Sequence, residues 1–570
     1  EARAIAGEHQ AESATRVAES ERDNARRAGT LAQSEARRAV NAEAKALLEA
    51  QQAGAVRDFL VALFTDMDHA QQGARQLSAY DLLEQGRTRA DKELASQPKL
   101  HATILMILAR VYERTGDLRQ AKNLFQATVE VERKLGTRPL IEADALMHLA
   151  LVQANDRAHA AAEGPARASL ALRLKHAGAD ALVTAESHST LALTLSGLQR
   201  HAEAREHMQK ALTIRETILG PKDAEVAFAL HNLGQIQAQA GQYEDGIASY
   251  RRSIDIKRVA LRPNHPSVAG SIEGLGQTLR RAGRLAEAEP HLTEAYKLQR
   301  EINGPESGRF ASAADSLGNL LHDMGRFAEA RRYYQEAVSA LEKSPQNATS
   351  VRAALYLNNL ASAHDDLCEY DTAQRHYQKS IEIRKIHLKR EDPGVLRAEN
   401  NLGRSLNRAG KLLEARMALQ PVLEIRAKSL PVDHVDLIDT RIALLESEIG
   451  LGQRERAAAG WSVLSPIEPS LTGARKFEFQ RVAALFRAMN GDAPGAQRLL
   501  KSRWDAMAGA QGATHVSTLR AQLDYAEALA RSAPDEAARI ATPLRESLAL
   551  RAPQACGVKA RVERLAQAAK

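Results

Sequence analysis

LHNLGQIQAQAGQYEDGIASYRRSIDI, Leu230 to Ile256, is the stretch that decides the fold. Leu233 is followed by a small residue, Gly234, then by a turn glycine at Gly241 and a second small residue at Gly246. The same pattern recurs at Leu108, Leu149, Leu191, Leu275, Leu317, Leu360, Leu402 and Leu444, with steps of 41 to 43 residues. A constant period of this length marks a solenoid of stacked supersecondary units. Such units bury surface against neighbours, so 570 residues need not share one core.

Composition agrees. Hydrophobic residues reach 44% but aromatics only 4%, so the interior must be built chiefly from Ala and Leu, which favour helices. The 78 basic residues exceed the 71 acidic ones by only +7, interleaved along a long surface, which argues against a nucleic-acid partner. Cys368 and Cys556 form neither a metal spacing nor a disulfide framework, so sequence does not fix the redox compartment. No apolar run reaches 18 residues, so no membrane helix or signal peptide is expected within the chain. The chain opens on Glu1, which suggests a fragment or processed form.

Residues 1–55 are alanine-rich, with Ala4, Ala11, Ala18, Ala25, Ala32, Ala39 and Ala46 at a strict heptad. The expectation is a long helix, either a stalk or weak coiled coil able to form a homodimer, or a solvated single helix. Residues 56–99 read as capping helices: VRDFLVALF should pack onto the start of the solenoid, and Ser78 to Gln97 forms a helix capped by Ser78 and closed by Pro98. Residues 100–460 hold the regular repeats, and residues 461–570 hold degenerate repeats with a terminal cap.

Each repeat offers two amphipathic helices. Gly116, Gly241, Gly283, Gly325, Gly410 and Gly452 occupy the turn between them, where a left-handed residue ends the first helix. Arg157, Gln199 and Cys368 replace that glycine, and these three turns are expected to be less tightly specified or differently built. Small residues, Ala109 to Gly403 on first helices and Ala121 to Ala415 on second helices, permit close helix approach. Prolines such as Pro221, Pro266, Pro305 and Pro393 punctuate the connections between repeats. The fold class expected is all-α, a right-handed α-solenoid of about eleven helix pairs with an N-terminal helical stalk.

Segments such as LGNLLHDMGRFAEARRYYQEAV resemble tetratricopeptide repeats, in the longer form found in kinesin light chains. The order of an Ala/Glu/Arg-rich helix, DFLVALF, SAYDLLEQGRTRADKELASQP and then repeats resembles the region after the membrane span in bacterial transmembrane serine/threonine kinases with tetratricopeptide sensors. That resemblance implies an extracytoplasmic, periplasmic sensor whose kinase and membrane helix lie upstream. The competing reading is a soluble, cytoplasmic adaptor with no kinase attached.

No phosphate loop, nucleophile elbow, zinc-protease or kinase motif occurs, so the chain is read as non-catalytic. His148, His188, His231 and His364 fall on first helices of different repeats, which predicts no metal site and no cofactor. Acidic residues are read as a dispersed, solvated set. The expected partner is a protein or peptide in the concave groove lined by first helices. By resemblance, Asn232, Asn359 and Asn401 are placed to reach a peptide backbone. Gln235, Gln239, Gln277, Arg281, Asn319, Arg397, Arg404 and Arg408 lie nearby on the same helices. Arg397, Asn401, Arg404 and Arg408 share one face and suit a carboxylate. They resemble a chaperone-binding carboxylate clamp only in part, because Asp315 and Asn401 stand where basic residues are expected. The alternative is that these groove residues simply face water.

Overall fold

The structure, a computed structural model, describes residues 54–59, 61, 79–262, 264–343, 345–551 and 561–565. The expected stalk, residues 1–55, lies outside the described residues except for 54 and 55, and Ser78, Pro263 and most of the expected terminal cap lie outside them too. The chain divides into two compact units after Gly220.

The first unit begins with α1 (Ala79–Glu93) and continues as three helix pairs: α2 (Pro98–Thr115) with α3 (Leu118–Leu135), α4 (Pro139–Asn155) with α5 (His159–His176), and α6 (Leu182–Gly197) with α7 (His201–Leu219). Phe59 joins the core of Leu94, Leu105, Leu108 and Phe125, so VRDFLVALF packs onto the first pair where it is described. Pro98 does not close α1, which ends at Glu93. It opens α2 at a first-turn position whose N–H would have no helical partner.

The second unit holds eight pairs. They are α8 (Ala224–Gln239) with α9 (Tyr243–Ala260), α10 (Pro266–Arg281) with α11 (Leu285–Asn303), α12 (Gly308–Asp323) with α13 (Phe327–Glu342), and α14 (Val351–Asp366) with α15 (Tyr370–His387). Then come α16 (Pro393–Arg408) with α17 (Leu412–Ser429), α18 (Val435–Gly450) with α19 (Arg454–Leu464), α20 (Gly473–Met489) with α21 (Ala493–Gln511), and α22 (Val516–Leu529) with α23 (Pro534–Arg551). First helices therefore carry even numbers and second helices odd ones from α2 onward. No strand occurs among the described residues, and the fold is an all-α solenoid of helix pairs.

The repeat code is a packing code. Ala121, Ala162, Ala204, Ala288, Ala330, Ala373 and Ala415 are all fully buried. A Cβ on Gly318 would come within 2.7 Å of the Tyr334 ring, and one on Gly276 within 2.6 Å of Leu292. Bulk at one small position is thus matched by its absence at the other.

The three turns without glycine overturn the expectation that they are built differently. Arg157, Gln199 and Cys368 adopt φ of 60°, 62° and 64°, beside 78° at Gly241. The same backbone bond closes each turn: Ala158 N to Gln153 O at 2.8 Å, Arg200 N to Leu195 O at 3.0 Å, Glu369 N to His364 O at 2.9 Å, and Gln242 N to Gln237 O at 2.9 Å. Packing of the two helices on either side dictates the conformation, at a cost of about 1–2 kcal/mol for a residue with a Cβ. Cys368 is also disulfide-bonded, although the two cysteines of the sequence make no recognisable disulfide framework. Cys556, the only other cysteine, lies outside the described residues.

A further tie between repeats is a buried basic side chain near the end of a second helix. Arg173 Nη1 donates to Val183 O at 2.5 Å, Lys257 Nζ to Ser267 O at 3.3 Å, and Arg426 Nη1 to Asp436 O at 2.7 Å, each ten residues on. Four residues before Arg173 and Lys257, Ser169 and Ser253 donate to Ala143 O and Ala227 O of the preceding first helix, both at 2.7 Å. The second helix is therefore stapled to the first helices on both sides of it. Burial pushes the Lys257 ammonium down to about 8.

Candidate functional site

All eleven candidate groove residues lie in the second unit on first helices: three on α8, two on α10, one each on α12 and α14, and four on α16. The period alone brings them into register, because residues about 42 apart occupy neighbouring turns of adjacent first helices.

Several are held by their own chain. Asn319 Nδ2 and Asn359 Nδ2 each donate to Asp315 at 2.8 Å, and Tyr334 OH donates to Asn319 Oδ1 at 3.0 Å. Gln277 Nε2 donates to Ser316 Oγ at 2.7 Å and to Glu273 Oε1 at 3.1 Å, while Ser312 Oγ donates to the same carboxylate at 2.9 Å. Asn401 Nδ2 donates to Asn358 Oδ1 at 3.2 Å, and Arg408 pairs with Asp365 and Asp366. The bonds of Asn359, Asn401 and Arg408, with Gln277 to Ser316 and Ser312 to Glu273, cross from one repeat to the next, whereas those of Asn319 stay within its own helix pair. The crossing bonds interlock the first helices as much as they present a surface.

Asp315 is 7% exposed, and burial pushes its carboxyl up to about 6 despite the amide donors of Asn359 and Asn319. Burial also raises Glu273, against hydrogen bonds from Ser316 and Ser312. The expectation that acidic residues form a solvated set is therefore corrected. Glu132, Glu273, Asp315, Asp365, Glu399 and Glu448 are buried, and all but Glu448 take hydrogen bonds or ion pairs from the chain. A helical wheel marks a carboxylate as polar. It does not show that a donor on the next repeat awaits it.

Others in the row are uncommitted. Asn232, Gln235, Arg281, Arg397 and Arg404 make no hydrogen bond or ion pair among the described residues. Gln235, Arg281 and Arg397 are exposed, whereas Asn232 and Arg404 are partly buried. Gln239 is exposed too, but it is engaged within the chain.

Sequence reasoning missed one neighbour of this row entirely. In the second unit, α22 returns against the turns of earlier pairs: Val516, Leu519 and Leu523 share a core with Phe327 and Leu367. Arg520 Nη1 donates to Asp366 Oδ1 at 3.2 Å, and the Arg520 guanidinium lies 5.7 Å from the centre of the Phe327 ring. Burial alone would raise Asp366, but the His322 hydrogen bond and the charges of Arg408 and Arg520 outweigh it and hold the carboxyl far below its ordinary value. Between this contact and α16 is a cavity of about 340 Å3 lined by Asp366, Arg404, Arg408, Glu478, Arg481 and Arg520, among others. Most of its charges are paired internally, as Arg481 is with Glu446 at 2.6 Å and Glu478 at 2.7 Å. Arg404 makes no ion pair among the described residues, though against the effect of burial its charge joins that of Arg481 in lowering the Glu478 carboxyl. No repeat-spaced signal announces this contact of α22, because the partners lie more than 150 residues apart.

Among the described residues no group of three His, Cys, Asp or Glu side chains could hold a metal ion, and no helix is long and apolar enough to cross a membrane.

Helix pairs joined by tight turns, close-packed through small residues and displaying a polar row on their first helices, define a protein-binding repeat scaffold. The pattern described as Tetratricopeptide repeat matches residues 183–258, 236–301, 267–343 and 309–386, and its variants match 395–436 and 107–174. These cover more than half of the sequence, and the chain belongs to the tetratricopeptide repeat family, whose members bind protein or peptide partners and whose fold is generally non-catalytic. Among solved structures it is similar to BtubC (BKLC) from P. vanneervenii, at 22% identity over 40% of this chain and 91% of that one, with a TM-score of 0.35. It is similar also to the apo form of RapI (14% identity, 50% and 97% covered, TM-score 0.40). A Rap protein complexed with Competence and Sporulation Factor gives 16% identity, 65% and 98% covered, and a TM-score of 0.39. No curated protein sequence matches the chain.

Proposed function

We propose that the chain captures an extended protein or peptide segment along the first-helix row of its second unit. The observation that carries this is the split within the row. Asn359, Gln277 and Arg408 are spent on neighbouring repeats and Asn319 on its own helix pair, whereas Asn232, Gln235, Arg281, Arg397 and Arg404 make no hydrogen bond or ion pair among the described residues. An asparagine or glutamine amide can donate and accept at once, which suits a peptide backbone. The arginines suit acidic side chains or a terminal carboxylate.

The test is selection of binders from a random peptide library against the whole chain, followed by titration of the selected peptides. Asn232→Ala with Gln235→Ala, and Arg397→Ala with Arg404→Ala, should each weaken binding by roughly tenfold or more, the loss expected when hydrogen bonds at the interface go. Peptides that bind all variants as tightly as the parent would place the site elsewhere.

We further propose that this scaffold is the extracytoplasmic sensor part of a bacterial membrane serine/threonine kinase. The segment order that resembles such kinases supports it. So does the disulfide at Cys368, because such bonds persist in oxidising compartments and are rare in the cytosol. A full-length sequence without a kinase and membrane helix upstream of residue 1 would leave the soluble adaptor as the surviving reading.

A further inference from the structure

Within a helix pair, the residue four after the marker leucine faces the residue twelve positions further on, on the second helix. Ser249 Oγ donates to Gln237 Oε1 at 2.7 Å across this gap, and in another pair the His364 and His376 rings stack there with centroids 5.4 Å apart. Elsewhere the first of these positions holds a buried leucine, as at Leu195, Leu279, Leu321 and Leu406. In α18 and α19 the two positions are Glu448 and Gly460. A carboxylate stands where the repeat places leucine, and the residue facing it has no side chain.

Glu448 is 8% exposed. Its carboxylate takes no hydrogen bond or ion pair among the described residues, and burial alone raises its carboxyl above the ordinary value. A Cβ at position 460 would sit 3.4 Å from Glu448 Oε2, so the missing side chain is the one that would cover the carboxylate. The space left belongs to a cavity of about 770 Å3 between α17, α18 and α19, with apolar walls from Met417, Pro421, Leu444, Leu445 and Val463. Arg416, Arg441 and Arg456 border it. Arg416 and Arg456 are turned to Gln453 Oε1 at 3.1 and 3.4 Å, and Arg441 to Val432 O at 3.0 Å, so none of them neutralises Glu448.

A buried unpaired carboxylate is costly unless a cation or proton donor joins it. Apolar walls of this extent accept a hydrocarbon body, the volume lies in the range of small-ligand sites, and the arginines attract a negative group. We propose that this cavity binds a short apolar peptide or comparable amphipathic zwitterion, with its ammonium group on Glu448, its side chains on the apolar walls and its carboxylate toward the arginines. The ligand thereby supplies the cross-helix partner that Gly460 withholds. The first-helix row is a separate surface, so the two assignments fail independently.

The experiment is calorimetric titration of the whole chain with tri-leucine, hexylamine and hexanoate. Tri-leucine should bind one-to-one, and hexylamine should bind more tightly than hexanoate. Glu448→Leu installs the residue used by the other repeats and should weaken tri-leucine by roughly tenfold or more, the loss of one buried charged hydrogen bond. Gly460→Ser restores the partner seen at Ser249 and should weaken it comparably. The second variant carries the test if the first fails to fold by circular dichroism. Tri-leucine affinity unchanged in both folded variants, hexanoate favoured over hexylamine, or no heat from tri-leucine on the parent would each overturn the assignment.

Discussion

Asp315→Asn should stabilise the second unit at neutral pH, although it removes a charge that accepts two hydrogen bonds. Burial raises the carboxyl from 3.8 to about 6, so the folded state holds a proton more tightly than the unfolded chain does. The sign follows from linkage: between those values the folded state binds more protons, and stability falls as pH rises through about 6. Above that, keeping Asp315 ionised costs about 3 kcal/mol, at 1.36 kcal/mol per pKa unit. An asparagine keeps the shape and avoids the buried charge. It presents an acceptor to only one of Asn319 and Asn359, and that lost bond costs about 1 kcal/mol. Since Asn319 Oδ1 is engaged by Tyr334, the Asn359 amide is the one that must turn. The net gain is about 2 kcal/mol above pH 7, and below pH 4 it becomes a loss of about 1 kcal/mol, where only the missing bond counts. Solenoids open locally, so the suitable measurement is hydrogen exchange of residues 308–366 as a function of pH. Protection that is lower in the variant at pH 7.5, or that keeps the parent's slope between pH 4 and 6, would refute the account.

Ala330→Phe places a ring at a fully buried small position and should destabilise by about 1–3 kcal/mol, lowering the first thermal transition; an unchanged melting curve would contradict the helix register. Burial pushes His188, His231 and His376 down to about 4, so the unfolded chain takes up protons at these sites first, and stability should fall as pH drops from 6.5 towards 4. Replacing all three by Gln should flatten that limb of a urea titration. Arg520→Glu sets a carboxylate against Asp366 and should raise hydrogen exchange in 516–529 together with that of 323–327 and 366–370, while 98–176 stays protected.

The architecture was legible because it is written redundantly. A leucine, two small residues and a turn residue repeat often enough that degeneracy at Arg157 or Gln199 does not hide the period. The error at those turns came from treating glycine as the cause of the left-handed conformation, when helix packing imposes it and glycine only eases it. The basic latch was also within reach. SLALR at Ser169–Arg173 and SIDIK at Ser253–Lys257 share a spacing that a search confined to leucine, alanine and glycine passes over. The site was less legible. First-helix register follows from the period, but whether Asn359 meets a ligand or Asp315 depends on a residue 44 positions away. Glu448 and Gly460 stand twelve residues apart on different helices, and only the gap between those helices brings them together.

The return of α22 onto the turns at Phe327 and Leu367 changes how the second unit must assemble. A linear stack of helix pairs nucleates anywhere and grows by local steps, each closing a short loop. Contacts spanning 154 and 192 residues add a closure that forms only once the intervening pairs are in place. Synthesis from the N-terminus completes that closure last. Its loss should release the intervening pairs to fray one at a time, whereas its presence links their unfolding into a single concerted transition.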